Sequence, residues 1–160
     1  MNIKHKELHR ITSTAIIYKE KDGDFKYLIT QRSLEKKAFP GKWTVPGGGL
    51  ETDDYINTPK NREGLWYNAI ENSLRREVME EVNLVVGKLK FLCDITFIRP
   101  DGIPAIILSY YGPYESGEVK LDDDADKFAW VTAEEAKDYD LIDGILGEIE
   151  EVDKILKEKC

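Results

Sequence analysis

The chain has 160 residues, and 31 acidic side chains against 23 basic ones give it a formal charge of −8. A nucleic-acid backbone is therefore excluded as the main partner, because that contact needs a basic surface. With 41% hydrophobic and 34% charged residues and no apolar run long enough for a bilayer, the sequence reads as one globular domain over residues 1–160 with no membrane partner.

Two distant cysteines, Cys93 and Cys160, form neither a disulfide framework nor a zinc cluster. The opening MNIKHKELHR lacks the apolar core of a signal peptide. A reduced, cytoplasmic protein is expected, with Cys93 buried as a small apolar residue.

In chain order, Ile11 to Tyr18 and Phe25 to Thr30 are rich in β-branched and aromatic residues, and KDGD between them signals a hairpin. The stretch from Ser33 to Asp54 is broken by Pro40, Gly41, Pro46 and Gly47 to Gly49, which predicts an irregular segment around a short strand at Trp43 to Val45. YINTPKNREGLW has no period and reads as a loop, with Thr58 and Pro59 placed to start a helical turn. Ile70, Leu74, Val78 and Val82 recur at four-residue steps and predict an amphipathic helix.

Two further strands follow around Asp101-Gly102, then a short strand at KFAWV. TAEEAKDY is a short helix opened by a threonine cap, and a terminal helix turns Ile145, Ile149, Val152 and Ile155 inward. Adjacent hairpins and two long helices predict an α+β fold, a mixed sheet with helices packed on it.

The chemistry concentrates in the central helix. Glu77, Glu80 and Glu81 fall at i, i+3 and i+4 and share one helical face, where like charges repel. Arg75 and Arg76 offset part of that charge. A hard divalent cation would offset more, and oxygen clusters are what Mg2+ and Mn2+ prefer. Alone, such a run is more often a solvated face with intrahelical ion pairs. The upstream PGGGLE changes the balance, because a glycine-rich turn lets backbone groups approach a ligand closely.

WTVPGGGLE followed by RREVMEEVNL resembles the Nudix hydrolase signature: a glycine, five residues, a glutamate, seven residues, then Arg-Glu-aliphatic-x-Glu-Glu-x-Gly-aliphatic. Gly48 fits the first glycine, and Arg76, Glu77, Val78, Glu80, Glu81 and Leu84 fit the second half in order. The resemblance implies the Nudix α/β/α sandwich and a hydrolase of the diphosphate linkage in a nucleoside diphosphate derivative or nucleoside triphosphate. It implies Glu77, Glu80 and Glu81 as ligands of Mg2+ or Mn2+, with Gly48 offering its carbonyl. Glu80 or Glu81 would stand nearest the attacking water, and Arg76 would orient the carboxylates. A small-molecule nucleotide is the implied partner, and a homodimer is the family's habit.

Other roles are wider. Glu51 is a further ligand or a surface residue, and Arg32 reaches a phosphate or caps a sheet edge. In LDDDADKFAW, Asp124 or Asp126 is the expected extra acidic group. The signature's middle glutamate falls at Asn68 counting back from Arg76 and at Asp54 counting forward from Gly48. Twenty positions separate Gly48 from Asn68 where the pattern has six, an insertion of 14 residues in TDDYINTPKNREGLW, and Glu63 is a substitute from within it. Asn83 stands at the late glycine, and Asn tolerates the left-handed conformation there.

Two rivals share the fold. Isopentenyl diphosphate isomerase, whose FPGKW is similar, needs a cysteine soon after the tryptophan, and WTVPGGG has none. A non-catalytic nucleotide-binding Nudix module usually loses signature glutamates that this chain keeps.

Overall fold

The computed structural model describes residues 6–160. The leaderless reading of the N-terminus falls partly on residues 1–5, outside the described residues. Among the described residues, eight strands and three α-helices follow in order: β1 (Arg10–Lys21), β2 (Asp24–Arg32), β3 (Trp43–Thr44), β4 (Gly47–Gly49), α1 (Ala69–Val82), β5 (Val85–Val86), β6 (Lys90–Ile98), β7 (Pro104–Ser116), β8 (Ala125–Val131), α2 (Ala133–Ala136) and α3 (Ile145–Glu158). Among the described residues, no helix is long and apolar enough to cross a membrane.

The expected mixed sheet is present. β1 runs parallel to β7 and antiparallel to β2 and β4, while β2 also pairs antiparallel with β8 and β3. β7 pairs antiparallel with β6 and β5. The β1–β2 turn has Asp22 at φ 56° and Gly23 at φ 79°, the positive pair that a tight two-residue hairpin needs.

Strand alternation sends side chains into two cores. Ile16, Tyr27 and Ile29 join Ile145, Ile149, Val152 and Leu156 beneath α3. Ala15, Ile17 and Leu28 join Leu74, Val78 and Val82 beneath α1. Each fully buried aliphatic side chain contributes about 1.5–3 kcal/mol relative to exposure. The helices thus clasp the sheet as an α/β/α sandwich, and α1 is fixed in rotation by its apolar stripe.

α2 is capped as its sequence suggests: Thr132 Oγ1 accepts from the Glu135 amide at 3.1 Å, and the Glu135 carboxylate accepts from the Thr132 amide at 2.8 Å. Four expectations change. Gly47–Gly49 is a strand rather than an irregular turn, because its backbone pairs with Thr12, Ser13 and Thr14. No helix starts at Thr58; the helical turn is a 3-10 turn at Thr52–Asp54. Ile155 is only half-buried, and Leu156 fills the core instead. Cys93 is half-buried and not a core residue.

Candidate active site

β4 lies beside α1 and runs against it, so its three glycines bring bare backbone to the carboxylate face. The Gly47 amide donates to Glu81 Oε2 at 3.1 Å. A Cβ on Gly48 would stand 2.2 Å from the Glu77 carboxyl carbon, so Glu77 fills the space that a side chain there would need.

Arg76 ties the other carboxylates together. Its Nε donates to Asp54 Oδ1 at 2.6 Å, and its terminal nitrogens reach Glu77 Oε1 at 2.9 Å and Glu80 Oε2 at 2.8 Å. Asp54, with a side chain only 6% exposed, also accepts from Ser73 Oγ and from the Glu51 amide, each at 2.8 Å. Burial raises the Asp54 pKa, but the Arg76, Glu51 and Ser73 bonds together bring it below the usual carboxylate value.

Glu81 turns toward a pocket of about 150 Å³ whose lining includes Thr12, Thr14, Arg32, Asp122 and Asp124. The acidic loop is pinned there by the Asp122 amide on the Glu81 carbonyl and by the Ser33 amide on the Asp124 carbonyl. Asp124 also pairs with Lys36. Burial pushes the Glu81 pKa up to about 8; the Gly47 amide pulls it down, and Glu77, Asp122 and Asp124 push it further up. Burial likewise raises Glu77, against the opposing charge of Arg76, and raises Asp122.

Behind the pocket, Thr14 Oγ1 lies 3.1 Å from Ser109 Oγ, which donates to Glu148 Oε1 at 2.8 Å. Glu148 is buried, and among the described residues its Oε2 has no hydrogen-bond partner.

Residues 8–148 match the family model of the NUDIX domain. A nucleoside triphosphatase NudI from Klebsiella pneumoniae (strain 342) is 31% identical over 125 residues, 72% of this chain and 79% of the relative. This is a Nudix hydrolase. A NudI from Escherichia coli O17:K52:H18 is also 31% identical, over 74% of this chain and 82% of its own length. Among solved structures, the NUDIX domain of Shewanella oneidensis NrtR, complexed with ADP ribose, superposes with a TM-score of 0.74 at 18% identity over 94% of this chain and 90% of that one. A MutT NUDIX hydrolase from Burkholderia pseudomallei gives 0.69 at 21% identity over 91% and 99%. These two likenesses show the fold. As a Nudix hydrolase, the chain acts on pyrophosphate bonds.

The Nudix site brings most of the expected residues together. Glu77, Glu80, Arg76 and Gly48 meet around β4 and α1, and Glu81, Asp124 and Arg32 meet at the pocket. Asp126 is exposed and outside the pocket lining. Glu51 is exposed and contributes its backbone amide to Asp54.

Of the two positions that counting gives for the middle glutamate, Asp54 is the one that reaches the site, through Arg76. Asn68 is instead the exposed residue at the start of α1, in the left-handed conformation at φ 61°, and Glu63 is an exposed turn residue. The inserted residues therefore follow Asp54, and Thr52–Asp54 belongs to the site. Forward counting from Gly48 carried that signal. Asp122 stands at the pocket although the sequence put Asp124 or Asp126 ahead of it, and the threonines of the pocket carried no signal of their own. Asn83 adopts φ 57° and closes α1 with its amide on the Met79 carbonyl, as the family's glycine would.

Nudix hydrolases generally use divalent metals. Among the described residues, no three acidic, His or Cys groups stand at coordination spacing, and Arg76 holds one oxygen each of Glu77 and Glu80. The donor set still fits such a cation. It offers hard carboxylate oxygens beside a side-chain-free glycine, and crowding with burial makes Glu77, Glu81 and Asp122 reluctant anions that a cation would relieve.

Proposed function

We propose that this Nudix domain, spanning residues 1–160 and working in the cytoplasm, hydrolyses the diphosphate linkage of a nucleoside triphosphate or nucleoside diphosphate derivative with Mg2+ or Mn2+. The reading rests on one observation: a row of carboxylates on α1 meets the bare backbone of β4, with Glu77 against Gly48 and Glu81 on the Gly47 amide. The NudI relatives are nucleoside triphosphatases, which favours nucleoside triphosphates.

Glu77, Glu80, Glu81 and the Gly48 carbonyl would hold the cation. When bound, that cation neutralises phosphate oxygens and lowers the pKa of a coordinated water. Arg76 keeps Glu77 and Glu80 in place through directed charged bonds, with Asp54 holding its Nε. Glu80 or Glu81 stands nearest the attacking water, with Glu81 facing the pocket beside the Gly47 amide.

Arg32 donates from Nε to the Ala38 carbonyl and lines the pocket, where its remaining N–H groups would meet a phosphate. Asp122 and Asp124 line the same pocket, Asp124 beside the end of β2 through the Ser33 amide on its carbonyl. A homodimer is part of this reading, and sedimentation of the purified chain tests it.

The deciding experiment incubates the protein with nucleoside triphosphates, their deoxy forms, dinucleoside polyphosphates and ADP-ribose, with Mg2+, with Mn2+ and with EDTA. Phosphate and pyrophosphate release are measured. Metal-dependent turnover of at least one nucleotide, lost in Glu80→Gln, is expected; no turnover across the panel would sink the reading.

A further inference from the structure

The inserted segment between Asp54 and α1 is folded on itself rather than left as an open loop. Arg62 and Leu65 bridge a tight turn in which Glu63 and Gly64 have φ 45° and 79°. Trp66 Nε1 donates to the Thr58 carbonyl at 3.0 Å and its ring lies 5.4 Å from that of Tyr55. The Asn61 side chain bonds both the amide and the carbonyl of Tyr67, at 2.8 and 3.3 Å. Lys60 lies 4.9 Å from the Trp66 ring centroid and Arg62 lies 5.5 Å from that of Tyr67. These contacts fix aromatic rings in place at the cost of chain entropy, yet they contribute no core residue.

The rings edge a groove of about 530 Å³ at the start of α1, completed by Leu50, Ile70 and Tyr110. That volume falls within the ~300–1,000 Å³ of small-molecule sites. Tyr67 is 42% exposed, so a large aromatic surface is presented there to solvent.

The groove is aligned with the proposed metal centre. Ile70 in the groove and Glu77 at the centre are seven residues apart on one face of α1, about 10 Å at 1.5 Å per residue. Alongside, the strand side runs from Gly47 at Glu81, through Gly48 at Glu77, to Leu50 in the groove. Charge also has a direction here. Glu71 lines the groove and spends Oε1 on Arg75, at 3.2 and 2.9 Å. A carboxylate in that position repels phosphate and accepts from N–H groups on the edge of a heterocycle.

We propose that this aromatic groove receives the nucleobase of the substrate and sets its specificity, with the diphosphate directed along α1 toward Glu77. The inference rests on the hydrolase reading for where the diphosphate lies. Planar stacking on fixed rings favours purines over pyrimidines through contact area.

The test has two arms. In the first, metal-free protein is titrated with adenosine, guanosine, cytidine and uridine, read by calorimetry and tryptophan fluorescence. Saturable purine binding is expected, weakened about tenfold in Tyr67→Ala, as loss of one stacking partner implies. Trp66→Phe should lose most of the fluorescence change while calorimetric binding persists. In the second, kcat/KM for a purine nucleotide is divided by kcat/KM for phosphoribosyl pyrophosphate, a base-free diphosphate. That ratio should fall about tenfold in Tyr67→Ala, and purine nucleosides should inhibit nucleotide turnover competitively.

Equal nucleoside binding by wild type and Tyr67→Ala, no binding by either, or non-competitive inhibition overturns the proposal. Non-competitive inhibition would point to a separate regulatory nucleoside. A wild type that turns over nothing sinks the hydrolase reading, and the nucleoside titration still decides the groove.

Discussion

Replacing Asp54 by alanine tests the most specific feature of the site, an aspartate in the 3-10 turn acting as anchor of Arg76. The side chain is 6% exposed and makes three bonds: to Arg76 Nε at 2.6 Å, Ser73 Oγ at 2.8 Å and the Glu51 amide at 2.8 Å. Hydrogen bonds to charged groups contribute roughly 1.5–3 kcal/mol and neutral ones about 1 kcal/mol. Ser73 is buried and would keep an unpaired hydroxyl, whereas Arg76 retains Glu77 and Glu80. The loss should therefore be about 2–4 kcal/mol, which lowers the midpoint of thermal unfolding by roughly 5–15 °C for a chain of this size.

Because the Asp54 pKa is depressed in the folded state, its contribution is full above the ordinary carboxylate value and fades as pH falls through the lower folded value. The wild type–mutant gap should thus close in acid. Urea titrations at pH 7 and pH 3 measure it, and metal-dependent turnover is followed in parallel. Asp54→Glu should keep most of the stability, while adding Asn68→Glu to Asp54→Ala should restore nothing. A loss under about 0.5 kcal/mol, a gap that does not change with pH, or rescue by Asn68→Glu would refute the reasoning.

Three other outcomes follow from the site. Glu81→Gln keeps an acceptor for the Gly47 amide but removes a carboxylate whose pKa is raised to about 8. In EDTA, wild type should lose stability as pH rises from about 4.5 to 8, and the variant should be about 1–3 kcal/mol more stable at pH 9 but equal near pH 5, while turnover falls about 10²-fold or more. Gly48→Ala places a Cβ 2.2 Å from the Glu77 carboxyl carbon; a flexible carboxylate can swing aside, so calorimetry should show weakened Mn2+ binding with little change in unfolding. At Asn83, φ 57° predicts that Asn83→Gly is nearly neutral and Asn83→Val costs about 1–2 kcal/mol in urea unfolding.

Features set by local periodicity were legible in the sequence. The stripe Leu74, Val78, Val82 fixed α1 and its inward face, Asp22-Gly23 fixed the first hairpin, and Thr132 with Glu135 fixed the start of α2. Features set by partners distant in the chain were not. Gly47–Gly49 has poor strand propensity and is extended only because Thr12–Thr14 pairs with it. Val85–Val86 is a strand only through Tyr114 and Ser116. Counting back from Arg76 landed on Asn68 because the extra residues enter after Asp54, and spacing alone does not say on which side of a residue an insertion lies. Asp122 faces Glu81 because its amide is tied to the end of α1, a contact spanning some forty residues of chain.

The chain of hydroxyls behind the pocket gives that cavity a polarity. Ser109 spends its hydrogen on Glu148, so toward Thr14 it offers only lone pairs, and Thr14 must spend its own hydrogen on Ser109. The Thr14 hydrogen is thereby committed to Ser109 and is not on offer to whatever enters the pocket that Thr14 helps to line. A carboxylate buried on α3, on the far side of the sheet from α1, thus sets the direction of a hydroxyl at the wall of the pocket.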